Sequence, residues 1–329
     1  KTPSFKVDSA KGKWYCYGSC QEGGDAIAFV MKYNNCSFYE AVKAIAHNHG
    51  ITYEEIEQSS EDEAKSRKRE AMFSANALAQ EFFVKSFNEK NQEYKNAHEY
   101  AYNRWNKSFV NETCIGFAPN SWNGLLNFVK SKGASLDILE ELSLIRKSEQ
   151  KNYYDFFRGR LTIPIRDRFN RVIGFTARDL TNAKDTPKYL NSAESPLFHK
   201  AESLFGIDTA IRQARKDDKM YLVEGAPDAL RLHSIGVLNT VASLGGAWSD
   251  FQFELLKKLV TNICFIPDAD QPKDGATIGT GYSFVIKNGK EALKKGLSVS
   301  VINISLAEDG SKQDPDTYFK DINDFRSAK

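Results

Sequence analysis

Four apolar runs, at 220–223, 237–242, 262–267 and 298–304, are separated by helix-length segments at 227–235, 249–260 and 281–295. That alternation constrains the fold more than any other feature of the chain. Parallel strands need crossovers, crossovers are right-handed, and the connecting helices then cover both faces of the sheet. A parallel-rich α/β sheet is expected over this stretch. Carboxylates follow three of the runs: Glu224 after Met220–Val223, Asp268 and Asp270 after Ile263–Pro267, and Asp314 and Asp316 after the last. Residues at the C-terminal ends of neighbouring parallel strands converge on one crevice. Several carboxylates in one crevice repel each other unless cations neutralise them, so the pattern reads as a divalent metal site suited to phosphoryl transfer.

Upstream the period changes. Residues 71–104 carry Phe73, Leu78, Phe82, Phe83 and Phe87 at helical spacing, and 125–147 also read as helical. The runs 161–166 and 171–178 bracket Asp167–Asn170 and predict a β-hairpin. From Arg146 to Arg178 nine Lys/Arg face three acids, a local net of +6 in a chain whose overall charge is only +2. Such a stretch can hold a polyanion, although a solvated face is the commoner meaning of a charge run. No run approaches the ~20 apolar residues that a membrane helix needs. Five cysteines, an odd number, fit a reducing cytoplasm better than a disulfide framework.

Glu224-Gly-Ala-Pro-Asp228, Asp268-Ala-Asp270 and Asp314-Pro-Asp316 resemble the TOPRIM fold shared by DnaG-like primases, type IA and II topoisomerases and related nucleases. The segments 114–122, 158–167, 171–178, 186–192, 197–200 and 204–207 resemble, in order, motifs of the primase RNA-polymerase domain. The resemblance implies an α/β chain: a TOPRIM-type sheet with helices on both faces, preceded by an α+β subdomain and a small β-ribbon/helix module. It implies that Glu224 assists proton transfer or orients metal and nucleotide. Asp268, Asp270 and Asp316, with Asp314, would hold Mg²⁺ or Mn²⁺. Arg158, Arg160, Arg178, Lys188 and Lys200 would hold template and nucleoside triphosphate, and Tyr189 would stack on a base. One departure stands out. The family's Asp-Gly-Asp-x-Ala-Gly is here Asp268-Ala-Asp270-Gln-Pro-Lys-Asp-Gly275, which keeps the acids but lengthens the loop.

Residues 1–55 resemble the second half of the primase zinc ribbon, with two short strands at 4–7 and 14–17 and helices from Asp25 and over 37–49. A structural zinc needs four ligands. Cys16 and Cys20 offer two, spaced C-x3-C rather than the family's C-x-x-C. Either residues upstream of Lys1 supply the other pair, or the ribbon persists without metal. The chain opens inside a motif, so an upstream segment is expected.

The expected organisation is a ribbon module over 1–55, a linker over 56–70, an α+β subdomain over 71–215 and the TOPRIM subdomain over 216–329. The expected activity is synthesis of short RNA primers on a single-stranded DNA template. A replicative helicase is the expected partner, and bacterial or phage-infected cytoplasm the expected location. A TOPRIM nuclease or topoisomerase, and a non-catalytic DNA-binding or helicase-recruiting module, are the rival readings. His199, Arg166 and Arg168 carry bland alternatives: packing for the first, and pairing with Asp167 for the two arginines.

Overall fold

The structure is a computed structural model that describes residues 4–18, 21–34, 38–52, 60–89, 92–181, 183–184, 186–245, 247–272 and 277–328. The chain forms two compact units, Lys1–Glu63 and Ala64–Lys329.

In the first unit Phe5–Asp8, Lys13–Cys16 and Gly23–Asp25 form an antiparallel meander, one strand more than expected. Two helices follow, Ala26–Asn34 and Phe38–His49. Phe5, Trp14 and Phe29 meet with ring centroids 5.6 to 5.8 Å apart. Phe5 and Phe29 nevertheless remain 42% and 38% exposed. A unit this small buries too little apolar surface to rest on packing alone.

The second unit begins inside a long helix, Ser60–Asn88, so residues 60–70 of the expected linker are helical. The helix ends at Asn88 and a separate one, Gln92–Arg104, follows, which divides the single helical stretch expected over 71–104. The stretch 125–147 also divides. Helices Gly124–Ser131 and Leu136–Glu141 flank Gly133, whose φ of +83° no helix accommodates, and Ile145–Lys147 is a strand.

An antiparallel sheet packs under the long helix in the order Gly116–Ala118, Arg160–Arg166, Val172–Asp179, Tyr189–Asn191. The predicted hairpin is its centre. Its turn closes because Asp167 accepts from the backbone N–H groups of Phe169 and Arg171, and Asn170 takes φ +64°. Phe83 of the helix meets Phe157 and Phe175 edge-on. A Cβ at Gly116 would lie 2.6 to 2.9 Å from atoms of Phe83, so only glycine lets this strand approach the helix so closely.

The parallel sheet runs Thr240–Ala242, Lys219–Val223, Asn262–Phe265, Ser298–Val301. In its three buried strands the apolar runs do not alternate with polar residues because both faces are covered, whereas the edge strand Ser298–Val301 alternates Ser and Val and is largely exposed. Tyr221, Val223, Cys264 and Ile266 join the large core shared with the antiparallel sheet. Met220, Leu222, Ile263 and Phe265 join a second core with Phe253, Leu256 and Val285 from helices Asp250–Lys257 and Thr280–Lys294. Asn191 Nδ2, on the last strand of the antiparallel sheet, donates to the Leu244 carbonyl at 3.1 Å, and the connecting segment joins the parallel sheet through an antiparallel bridge between Phe205 and Ala242. No helix among the described residues is long and apolar enough to cross a membrane.

Candidate active site

The acids stand where the sheet sends them. Glu224 leaves the strand Lys219–Val223 directly, and Asp268 follows the neighbouring strand Asn262–Phe265. Both side chains are half-buried, and Glu224 Oε1 and Asp268 Oδ1 have no hydrogen-bond partner among the described residues. Burial, and next the charge of Asp268, push the Glu224 carboxyl above the usual range. Asp268 is likewise raised by burial, with Asp314 and Asp270 adding repulsion, while the Lys312 ammonium pulls it down. Lys312 Nζ lies 2.7 Å from Asp268 Oδ2.

Asp270 has a different duty. Its carboxylate accepts from the Thr280 hydroxyl, from the Thr280 N–H at 2.9 Å and from the Gly281 N–H at 3.0 Å. It thereby closes the start of the helix Thr280–Lys294. Burial opposes its charge, but these hydrogen bonds outweigh it and hold the carboxyl below the usual value. A Cβ on Gly279 or Gly281 would come within 2.3 Å of the Asp270 carbonyl or 2.2 Å of the Asp268 carbonyl. Asp268, Asp270 and Tyr282 line a cavity of about 260 Å³ with Asn303 and Ile304.

The third acidic cluster departs from the expectation of a metal ligand pair. Asp314 caps the short helix Pro315–Tyr318 through the Thr317 N–H at 2.9 Å. Asp316 is buried, with its carboxylate paired to Arg104 and, at 3.4 Å, to Arg231 Nε. Two guanidinium groups pair with it, while neither of its carboxylate oxygens has a hydrogen-bond partner among the described residues. Among the described residues, no group of three His, Cys, Asp or Glu side chains encloses a metal position.

Asp228 is a residue that sequence reasoning undervalued. Beyond favouring its helix dipole, it is buried and accepts from the Gly225 N–H at 3.0 Å and from the Asp316 N–H at 3.2 Å. It therefore links the first acidic loop to the third. Burial, then the charges of Asp268 and Asp314, raise its carboxyl well above the ordinary range. The signal was its place three residues after Gly225, where an acid reaches back to the helix N-cap.

The expected phosphate-holding cations separate into two kinds. Arg160 is 4% exposed and donates to the Pro187 and Ala177 carbonyls at 2.9 and 3.3 Å, with Asp179 at 4.0 Å. It is a core residue because its strand is central in the sheet, and its placement corrects the expectation that it faces template. Arg158 instead lies over the Trp122 ring at 4.0 Å and the Tyr154 ring at 5.1 Å, and Trp122 is 65% exposed. Arg178 is flanked by Tyr100 and Tyr189, and its Nε and one terminal nitrogen lack hydrogen-bond partners among the described residues. The Tyr189 ring is half-buried and its hydroxyl lies 3.4 Å from that of Tyr100, so it is less free to stack than expected; the same burial raises its pKa. Lys188 is exposed. The Lys200 side chain lies across Gly245, within 2.4 to 2.9 Å of where a Cβ would be, on the loop after the strand Thr240–Ala242. Gly246 is outside the described residues.

The bland alternatives hold in part. His199 Nδ1 meets Glu194 at 3.1 Å. Asp167 pairs with Arg171 rather than Arg166, which donates to Gln80. In the first unit, Cys16 ends the second strand half-buried, while Cys20 and Cys36 lie outside the described residues.

Family profiles match three consecutive stretches: a CHC2 zinc finger at 1–61, the N-terminal domain of a DNA primase catalytic core at 82–211, and a Toprim-like domain at 221–319. The DNA primase of Staphylococcus aureus (strain COL) is 32% identical over 321 residues, 97% of this chain and 51% of its own length. That of Clostridium acetobutylicum is 33% identical over 353 residues, covering 99% of this chain and 57% of its own. The chain thus spans about half the length of the curated relatives it matches. The zinc-binding and RNA polymerase domains of Aquifex aeolicus primase superpose with a TM-score of 0.69 and 30% identity, covering 100% of this chain and 75% of that one. A DnaG primase catalytic domain bound to single-stranded DNA gives 0.67 at 28% identity, covering 80% and 79%.

Proposed function

The chain belongs to the DnaG-type primase family, and we propose that it carries the family's template-directed synthesis of short RNA primers on single-stranded DNA. The observation that carries the proposal is the pair Glu224 and Asp268: half-buried carboxylates at adjacent strand ends, each with an oxygen lacking a hydrogen-bond partner among the described residues. Buried carboxylate oxygens without partners are costly and call for a cation.

Zinc-ribbon and Toprim-like modules bind zinc and divalent metal in general. The acid crevice fits a divalent cation by its all-oxygen donors, its orphaned oxygens and the ammonium group already drawn to it. Glu224 and Asp268 are the proposed holders, Mg²⁺ or Mn²⁺ the proposed ions. When bound, such an ion neutralises triphosphate charge and stabilises nucleotidyl transfer. Asp270 fixes the helix start beside Asp268, and Asp228 fixes the Gly225 turn, so the acids are held at defined positions. Arg158, Arg178, Lys188 and Lys200 are the proposed cations for template and triphosphate, with Trp122 and Tyr154 as stacking surface. The thin core of the first unit supports zinc as its staple through Cys16 and Cys20. Family membership supports nucleoside triphosphates as substrates, a replicative helicase as partner and the cytoplasm as location. It also supports the division into 1–55, 56–70, 71–215 and 216–329, with 60–70 helical.

The test is synthesis on single-stranded DNA with labelled ribonucleotides and Mg²⁺ or Mn²⁺, beside Glu224→Gln and Asp268→Asn. Template-dependent oligonucleotides from the parent chain, absent with both variants, are expected. DNA cleavage without synthesis overturns the proposal in favour of a nuclease, and full synthesis by both variants overturns the site.

A further inference from the structure

Among the described residues, Lys312 is the one cation that pairs with Glu224 or Asp268. Nothing in the acidic pattern pointed to it, because it lies outside the strand ends that carry the carboxylates. Its position is not left to chance. The residue beside it, Gln313, exchanges two backbone hydrogen bonds with Ala269, Ala269 N–H to Gln313 at 2.8 Å and Gln313 N–H to Ala269 at 2.9 Å. Ala269 sits between Asp268 and Asp270, so the bridge delivers Lys312 to the middle of the crevice. Its ammonium reaches Asp268 Oδ2 at 2.7 Å and stops there, leaving Asp268 Oδ1 and Glu224 Oε1 without partners among the described residues. The side chain is 56% exposed, so its head can leave without unpacking anything.

We infer that Lys312 is a built-in counter-cation, which occupies the acidic crevice before a divalent ion arrives and must be displaced from Asp268 for the ion to bind. The inference rests on the assignment of Glu224 and Asp268 as the cation site. A tethered ammonium lowers the repulsion that would otherwise strain the metal-free sheet ends, and it sets a threshold that a divalent ion must exceed. A monovalent group on a flexible stem is the right kind of placeholder. It neutralises one carboxylate, whereas a divalent ion can engage both. The Asp268 oxygen is also the only acid contact it makes within ion-pairing distance among the described residues.

The test is Mn²⁺ binding to the whole chain, read from the paramagnetic resonance signal of free Mn²⁺, so that no catalytic turnover is needed. Four variants are compared with the parent: Lys312→Met, Lys312→Arg, Lys290→Met and Asp268→Asn. Lys290 is exposed, ten residues into the helix that starts at Thr280, and reports the effect of net charge alone. Removing a unit charge about 4 Å from a divalent ion in water-like surroundings, about 2 kcal/mol, predicts a Kd about thirtyfold lower for Lys312→Met. Lys312→Arg and Lys290→Met are expected to stay within about twofold of the parent. In chelator, Lys312→Met should melt below the parent, and saturating Mn²⁺ should close that gap. Unchanged or weaker Mn²⁺ binding by Lys312→Met, with binding abolished by Asp268→Asn, overturns the counter-cation inference while leaving the site intact. Equal tightening by Lys290→Met overturns it too, by reducing it to a net-charge effect. Undiminished binding by Asp268→Asn removes the site assignment, and the inference falls with it.

Discussion

The acids of the parallel sheet and the arginines of the antiparallel sheet are opposite in more than charge. Glu224 and Asp268 sit half-buried with oxygens unpartnered among the described residues, whereas Arg160 in the centre of the other sheet is fully engaged with carbonyls. The first pair keeps its charge available, and the second residue has committed its charge to the fold. Within the acids the contrast is one of ion pairing: the Asp316 oxygens also lack hydrogen bonds among the described residues, yet Arg104 and Arg231 pair with them, whereas no ion pair reaches Glu224 there. Proximity to a strand end is therefore a poorer guide to chemistry than what each carboxylate already holds.

Substitutions can break this comparison. The largest effect belongs to the available acids: Glu224→Gln or Asp268→Asn should reduce primer synthesis about a thousandfold, ~4 kcal/mol of transition-state stabilisation. Neither should lower the melting temperature in chelator, and a clear fall there would place them with the structural acids. Next comes Asp316→Ala, which strands two guanidinium groups and should cost about 3 kcal/mol of stability in denaturant titration. If it folds with parental stability but loses Mn²⁺, Asp316 belongs with Glu224 after all. Arg160→Met should cost about 2 kcal/mol by orphaning the carbonyls it serves. Arg158→Ala should instead weaken single-stranded DNA binding several-fold, as a salt-dependent loss, and move stability by less than about 1 kcal/mol.

The smallest effect is on pH. Burial raises the carboxyls of Glu224, Asp228 and Asp268 in the folded chain, so the folded state holds protons that the unfolded chain releases. Their contribution to stability is present below the ordinary carboxylate range, near pH 4, and is lost as pH rises through the raised values. Asp270 runs the other way, its contribution present above the ordinary range and lost as pH falls through its depressed value. Melting in chelator should thus decline from mildly acidic pH toward neutrality, and saturating Mn²⁺ should flatten the decline. A profile that does not respond to metal would mean that the raised acids and the cation site are different groups.

The sheet was legible because a strand buried on both faces is one unbroken apolar run, and such runs at 220–223 and 262–267 are hard to read otherwise. The acids that follow them were legible for the same reason. Arg104, Asp228 and Lys312 were not. Arg104 lies in a polar helix 212 residues before its partner Asp316, and a lone arginine there is indistinguishable from a solvated one. Lys312 acquires its place from a two-residue bridge to Ala269, which no periodicity announces. The hairpin was legible too, yet Arg160 was misplaced in it, because a central strand turns even an arginine inward when carbonyls are waiting. The helix boundary at Ser131 was marked by Gly133 and passed over, whereas the one at Asn88 has no glycine or proline near it to announce it.

The close approach at Gly279 and Gly281 has a bearing on how such a chain can diverge. With no room for a Cβ on either residue, the helix start is clamped to the carbonyls of Asp270 and Asp268, and Asp270 grips that start in return. Gln313 holds the same loop from the other side. The acids are anchored at both borders of the connection between Asp270 and Gly279, so its length can drift between relatives without moving them. Insertions should be inherited freely there, while either glycine stays fixed, and a graft of a shorter connection should leave the geometry of the acids as it is.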